Sequence, residues 1–153
     1  MPPVKIGHVH LKVSDLERSV AFYRDVLGFE LMGRMPGAAF LADDGYHHHI
    51  GLNTWQSAGG EPPPPGTTGL FHLAILYPTR HDLAAGLRRV LDAGVPLTGA
   101  SDHGVSEAIY LNDPDMNGIE IYHDRPRDEW PFNKDGTVAM FTAPLDLEDL
   151  LAA

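Results

Sequence analysis

The stretch His8-Val9-His10-Leu11-Lys12-Val13-Ser14-Asp15-Leu16-Glu17 is the place to start, because its order returns in Phe71-His72-Leu73-Ala74-Ile75-Leu76 with Thr79-Arg80-His81-Asp82 behind it. Residues 6–13 alternate: Ile6, His8, His10 and Lys12 point one way, and Val9, Leu11 and Val13 point toward a core, which is the period of a half-buried strand. Residues 14–17 have the form of a helix capping box. Leu16, Val20, Tyr23, Val26 and Leu27 then recur at helical spacing until Gly28. Three strands follow, over residues 29–33, 38–42 and 46–54, separated by Pro36-Gly37 and Asp43-Asp44-Gly45 turns.

Residues 57–69 are rich in glycine and proline, with four consecutive prolines that can neither pair in a sheet nor continue a helix, and read as a linker. Beyond it the pattern repeats. A strand is expected over 70–76, a cap over 79–82, a helix marked by Leu83, Leu87, Val90 and Leu91 and stopped by Gly94, then strands over 97–101, 105–112 and 118–122. His72 lies 64 residues after His8, and Gly94 lies 66 after Gly28. The chain is therefore an internal duplication of α+β class. A first βαβββ module spans 1–56, the linker 57–69, a second module 70–123, and an extension over 124–153 packs on the core or on a second subunit.

Composition bounds the chemistry. A chain of 153 residues, 43% hydrophobic, can bury a core. It has no cysteine, so disulfides, thiolate metal sites and thiol nucleophiles are excluded. A net charge of −10 argues against nucleic acid or anionic membrane as a partner. With neither a basic, apolar leader pattern nor a run long enough to span a bilayer, a cytoplasmic location is expected. Nine histidines raise the prior for a metal or acid-base site.

His8 and His72 hold equivalent places in the two copies, on the strand face opposite the apolar side chains. Glu120 lies between Ile119 and Ile121, which face the other way. A carboxylate turned inward on a strand is costly unless paired or bound to metal, and its plain partners here are Arg125 or Arg127. Two imidazoles and one carboxylate with open positions suit a non-haem Fe(II) that binds substrate and O2 together.

The motif His8 to Leu16, with Phe22-Tyr23 and Val26-Leu27-Gly28-Phe29 behind it, resembles the opening module of the glyoxalase/bleomycin-resistance/extradiol-dioxygenase superfamily. Phe71-His72-Leu73-Ala74 and the run Asp113-Pro114-Asp115-Met116-Asn117-Gly118-Ile119-Glu120 resemble parts of its second module. The resemblance covers about residues 4 to 125. It implies the vicinal oxygen chelate fold, an incomplete barrel around a metal cleft, with His8, His72 and Glu120 as ligands. Fe(II) is the first candidate, with Mn(II), Ni(II) or Zn(II) as the others. The stretch from Tyr46 to Trp55 resembles the segment of small catechol 2,3-dioxygenase-like proteins that carries an acid-base histidine. By that pattern the histidine is His48, on the face of Ile50 and Leu52, with His47 or His49 taking its place if the register slips by one.

Tyr110 matches the family tyrosine that hydrogen-bonds the bound catecholate, its plain alternative being a half-buried strand tyrosine. His103 is read first as a surface turn residue and second as a donor near the site. Isomerases of the glyoxalase type use a carboxylate or histidine on the last strand of the first copy, and no acidic residue occurs between Tyr46 and Trp55. The resemblance thus implies an extradiol dioxygenase acting on a small catecholic substrate with O2, as a homodimer. The alternatives are a metal-dependent isomerase or lyase and a non-enzymatic drug binder.

Overall fold

A computed structural model describes residues 1–153 and is α+β, with two four-stranded sheets and no closed barrel. The chain divides into two compact units, residues 1–68 with 113–116, and residues 69–112 with 117–153. In the first, β1 (Val9–Lys12), α1 (Leu16–Ala21), β2 (Glu30–Met35), β3 (Ala38–Ala42) and β4 (Ile50–Asn53) form a sheet of order β1-β4-β3-β2. In the second, β5 (Leu73–Leu76), α2 (Arg80–Asp92), β6 (Leu97–Asp102), β7 (Ser106–Asn112) and β8 (Gly118–Asp124) repeat it as β5-β8-β7-β6. The duplication read from spacing is thus a duplication of topology, with the first and last strands of each copy paired in parallel.

Alternation holds where it decides the core. Leu11 and Val13 are buried while His10 and Lys12 are exposed. Both first strands nevertheless begin later than periodicity predicts. β1 starts at Val9 because its parallel partner β4 starts only at Ile50, and Ile6 is left 96% exposed. The reason is the histidine triplet, which lies in the connection before β4 and not in a strand from residue 46. β5 likewise starts at Leu73, opposite Ile119 near the start of β8. His8 and His72 therefore each stand one residue ahead of their strand.

The expected first helix has the right extent but two windings. α1 passes into a π-helical turn over Phe22–Val26, where the Leu27 N–H donates to the Phe22 carbonyl at 3.2 Å. The wider turn lets the adjacent residues Phe22 and Tyr23 both be buried. Gly28, at φ 87°, ends it as expected. The cap is Asp15, whose carboxylate accepts the Arg18 N–H at 3.1 Å; Glu17 is drawn away to Arg34 at 2.7 Å, so the capping box does not form. In α2 the cap is Thr79 as expected, accepting the Asp82 N–H at 3.1 Å.

Within the first unit, the turn residues 113–116 supply two acceptors for α1 and the π turn. Asp115 accepts from the Ser14 N–H at 3.2 Å, Arg18 at 3.0 Å and the Ser19 hydroxyl at 3.3 Å, and Asp113 accepts the buried Tyr23 hydroxyl at 2.7 Å. In the second unit the extension after residue 124 ends in α3 (Leu147–Leu151), which packs on α2 with Leu150 fully buried. No helix is long and apolar enough to cross a membrane.

An ion network ties α3 to the second sheet. Glu107, 4% exposed, accepts from Arg80 at 2.9 Å and from His123 at 2.8 Å, and Arg80 also reaches Asp149 at 2.7 Å. Burial alone would push the Glu107 carboxyl up, but the hydrogen bonds from Arg80 and His123 outweigh it and hold it below the usual carboxylate range. Its stabilisation is therefore present at neutral pH and lost as pH falls through that depressed value. Glu107→Ala leaves the buried His123 without its carboxylate partner and takes one of two carboxylates from the one-third-exposed Arg80, and an unfolding free energy about 1–3 kcal/mol lower is expected in urea titration at neutral pH. The gap between mutant and parent should shrink in acid.

Candidate metal centre

In the second unit, Glu120 sits in the middle of β8 between Ala74 of β5 and Tyr110 of β7, on the face opposite the buried Ile119 and Ile121. Its Oε2 lies 2.8 Å from His72 Nε2, and its side chain is only 12% exposed. Gly118 makes that approach possible. A Cβ there would lie 2.3 Å from the Phe71 carbonyl oxygen and 3.0 Å from the His72 Cβ, so only glycine lets the start of β5 close against β8. Neither arginine expected as a plain partner takes Glu120: Arg125 pairs with Asp102 at 2.6 Å, and Arg127 lies over the Trp130 and Phe132 rings.

Tyr110 and His103 stand behind this pair. The Tyr110 hydroxyl is 3.4 Å from Glu120 Oε1 and 2.5 Å from His103 Nε2, while His103 Nδ1 is 2.8 Å from the Phe141 carbonyl oxygen. A carbonyl only accepts, so Nδ1 carries a hydrogen, and in the neutral ring Nε2 is then the acceptor for the phenol. The phenol has one hydrogen to give and two acceptors within reach. Burial, and then the neighbouring Glu120 carboxylate, push its pKa up to about 12, so it stays protonated at neutral pH. His103 lies at the turn between β6 and β7 and is no idle surface residue. The signal was the hairpin register, which sets Asp102 opposite Glu107 and so brings the turn toward Tyr110 three residues further along β7.

In the first unit, His8 is exposed, and its ring lies 4.3 Å from that of His48. His48 Nδ1 is 2.8 Å from His47 Nδ1, and the His48 ring touches Phe40 at 5.1 Å between centroids. His48 does not share the face of Ile50 and Leu52, which are buried; it reaches His8 from the irregular segment ahead of β4. Desolvation first, then the surrounding imidazoles His8 and His47, lower its pKa, which favours the neutral, proton-accepting ring. His49 is committed to structure. Its backbone bonds Leu41 and Val9, and its Nδ1 accepts the Asp43 N–H at 3.3 Å.

The structure thus brings together His72, Glu120, Tyr110 and His103 in one unit, and His8 and His48 in the other. No group of three or more His, Asp or Glu side chains is gathered as a ready metal cage. The pair that does meet fits a divalent ion. Two ligand atoms each about 2.1 Å from a metal, at a right angle, lie about 3 Å apart, close to the separation of His72 Nε2 and Glu120 Oε2.

A family model described as the Glyoxalase/Bleomycin resistance protein/Dioxygenase superfamily matches residues 5–121. The chain is similar to the catechol-2,3-dioxygenase of Bacillus subtilis (strain 168), with 42% identity over 146 residues, 95% of this chain and 50% of that protein. It is similar to biphenyl-2,3-diol 1,2-dioxygenase 3 of Rhodococcus globerulus, with 32% identity covering 78% of this chain and 63% of that one. It is also similar to the iron-dependent extradiol dioxygenase of Rhodococcus jostii (strain RHA1), with 31% identity covering 76% and 42%. The chain spans about half the length of these relatives. Among solved structures, a glyoxalase/dioxygenase from Nostoc punctiforme shares the fold at a TM-score of 0.66 and 21% identity, over 80% of this chain and 92% of that one.

Proposed function

The chain belongs to the glyoxalase/bleomycin resistance protein/dioxygenase superfamily, and from that membership we propose that it is an extradiol dioxygenase, opening the ring of a catechol beside its two hydroxyls with O2. The proposed metal is Fe(II), held by His8, His72 and Glu120. The observation that carries the reading is the His72–Glu120 pair at 2.8 Å backed by the Tyr110 hydroxyl, together with similarity to relatives named as catechol and biphenyl-diol dioxygenases.

When bound, the ion would supply a Lewis acid that acidifies the catechol hydroxyls and holds both reactants side by side. The remaining work belongs to side chains. His48, kept neutral by its surroundings, accepts a substrate hydroxyl proton at Nε2, since Nδ1 is engaged with His47. Tyr110 keeps its hydrogen and offers it to oxygen on which negative charge grows. His103, its Nδ1 held by the Phe141 carbonyl, fixes the position of that hydroxyl through Nε2. Both atoms of O2 enter the ring-opened hydroxy-semialdehyde acid, so no external reductant is consumed.

The test is O2 uptake by Fe(II)-loaded protein with catechol, followed beside the yellow ring-fission product. Uptake of O2 in equal amount with product supports the reading, and metal-loaded protein that leaves catechol and O2 untouched overturns it. His103→Ala is expected to slow turnover about tenfold, and to cost nothing further in a Tyr110→Phe background, because one residue acts through the other.

A further inference from the structure

β6 is an edge strand, and the C-terminal extension supplies its end with a partner that the sheet does not. The main chains of Asp102 and Ala143 exchange both N–H···O bonds at 2.8 Å, an antiparallel bridge at the last residue of β6. One residue further into the turn, the Phe141 N–H donates to the His103 carbonyl at 3.4 Å, and the His103 ring gives its Nδ1 hydrogen to the Phe141 carbonyl at 2.8 Å. The Thr142 hydroxyl stands 3.4 Å from the same nitrogen. Gly104 completes the fit: it turns at φ 79°, where a side chain would be strained, and a Cβ there would lie 2.5 Å from the Phe141 ring. Residues 141–143 are tied at both ends. Before them a small hairpin closes, with the Ala139 N–H on the Pro131 carbonyl at 2.9 Å and the Asn133 N–H on the Thr137 carbonyl at 2.8 Å. After them Asp146 caps α3, which packs on α2 with Leu150 fully buried.

We infer that residues 141–143 are a positioning strap for the site: the Phe141 carbonyl fixes the His103 ring, and through it the place of the Tyr110 hydroxyl beside Glu120. The reaction that the strap serves rests on the proposed ring-cleavage reading, but its contacts do not. An imidazole on a turn is free to rotate and to change tautomer unless both of its nitrogens are engaged. Here both are, Nδ1 by the strap and Nε2 by the phenol at 2.5 Å. A carbonyl has no hydrogen to give, so the strap permits one neutral tautomer, the one whose Nε2 keeps a lone pair for Tyr110. Because the holding atom belongs to the main chain, the path of the strap is what matters, and the Asp102–Ala143 bridge sets that path. Asp102 cannot drift, since its carboxylate is bound by Arg125 at 2.6 Å and by the Gly104 N–H at 2.8 Å. The extension is thereby a working part of the site, joining α3 to Tyr110 through one carbonyl.

The experiment follows the His103 ring nitrogens by nitrogen-15 NMR in the full chain before iron is added, the signals being assigned by their loss in His103→Ala, and then kcat with catechol after Fe(II) loading. The parent is expected to carry the hydrogen on Nδ1 and the lone pair on Nε2. Ala143→Pro removes the N–H that the Asp102 carbonyl accepts and leaves α3 in place. It should shift His103 toward a mixture of tautomers and lower kcat about tenfold, the worth of one hydrogen bond, with KM little changed and no further loss in a Tyr110→Phe background. Phe141→Ala takes only a half-exposed ring from Gly104; it should move the nitrogen signals in the same direction, and it decides the matter alone if the proline variant does not fold. Asp149→Ala cuts the ion pair between α3 and Arg80 and is the contrast, with a lower melting temperature and unmoved nitrogen signals. A parent with its hydrogen on Nε2, or signals unmoved in the strap variants, overturns the strap, and so does full turnover in a variant whose signals have moved. If the signals move as expected but the parent turns over no catechol, the strap stands and the ring-cleavage reading fails.

Discussion

Glu120→Ala is expected to lower ring cleavage by at least about a thousandfold and to strip the protein of iron, as judged by O2 uptake and metal analysis on one preparation. The carboxylate is the only anionic member of the proposed ligand set, and Oε2 already meets His72 Nε2. The fold should survive, since the row neighbour Ala74 shows that a methyl group is accommodated on this face, and the core residues Ile119 and Ile121 face away. Glu120→Gln is the sharper variant. It keeps the shape and loses the charge, so weaker iron binding with an unchanged melting temperature would assign the effect to ligation. If Glu120→Ala retains both iron and turnover, Glu120 serves only to pair with His72.

The second large effect belongs to the histidine triplet. His48→Ala should lower kcat by about a hundredfold or more, the usual worth of a positioned acid-base group. Its pH dependence has a definite sign. A base works only when neutral, and burial with neighbouring imidazoles lowers the His48 pKa. The acid limb of kcat/KM in the parent should therefore fall below the ordinary histidine range, with activity lost as pH drops through it, and the limb should vanish in His48→Ala. His49→Ala is the contrast. It removes the acceptor of the Asp43 N–H, so it should lower the melting temperature while leaving the pH profile in place. A profile that moves with His49 and not with His48 would reassign the base.

Much of this was written in alternation and spacing. Leu11 and Val13 marked the core face of β1, Leu83, Leu87 and Val90 marked the buried face of α2, and the matching spacings of 64 residues from His8 to His72 and 66 from Gly28 to Gly94 exposed the duplication. What periodicity could not carry was anything set by a partner distant in sequence. The start of β1 is dictated by β4, so His8 falls outside the strand to which alternation assigns it. Ser14 looked like a cap, but its N–H is taken by Asp115, and the cap passes to Asp15. The place of His48 beside His8 follows from an irregular segment with no period to read, and the reading that set it with Ile50 and Leu52 chose the wrong face. His103 belongs to the same class, since its bond to Tyr110 depends on how the β6–β7 hairpin closes.

The most direct test of the account is the iron bound per chain after anaerobic loading and desalting, measured on the parent and on His8→Ala, His72→Ala and Glu120→Ala. The account predicts about one iron per chain in the parent and a loss in each of the three variants. A parent that holds no iron, or three variants that hold as much as the parent, would contradict it.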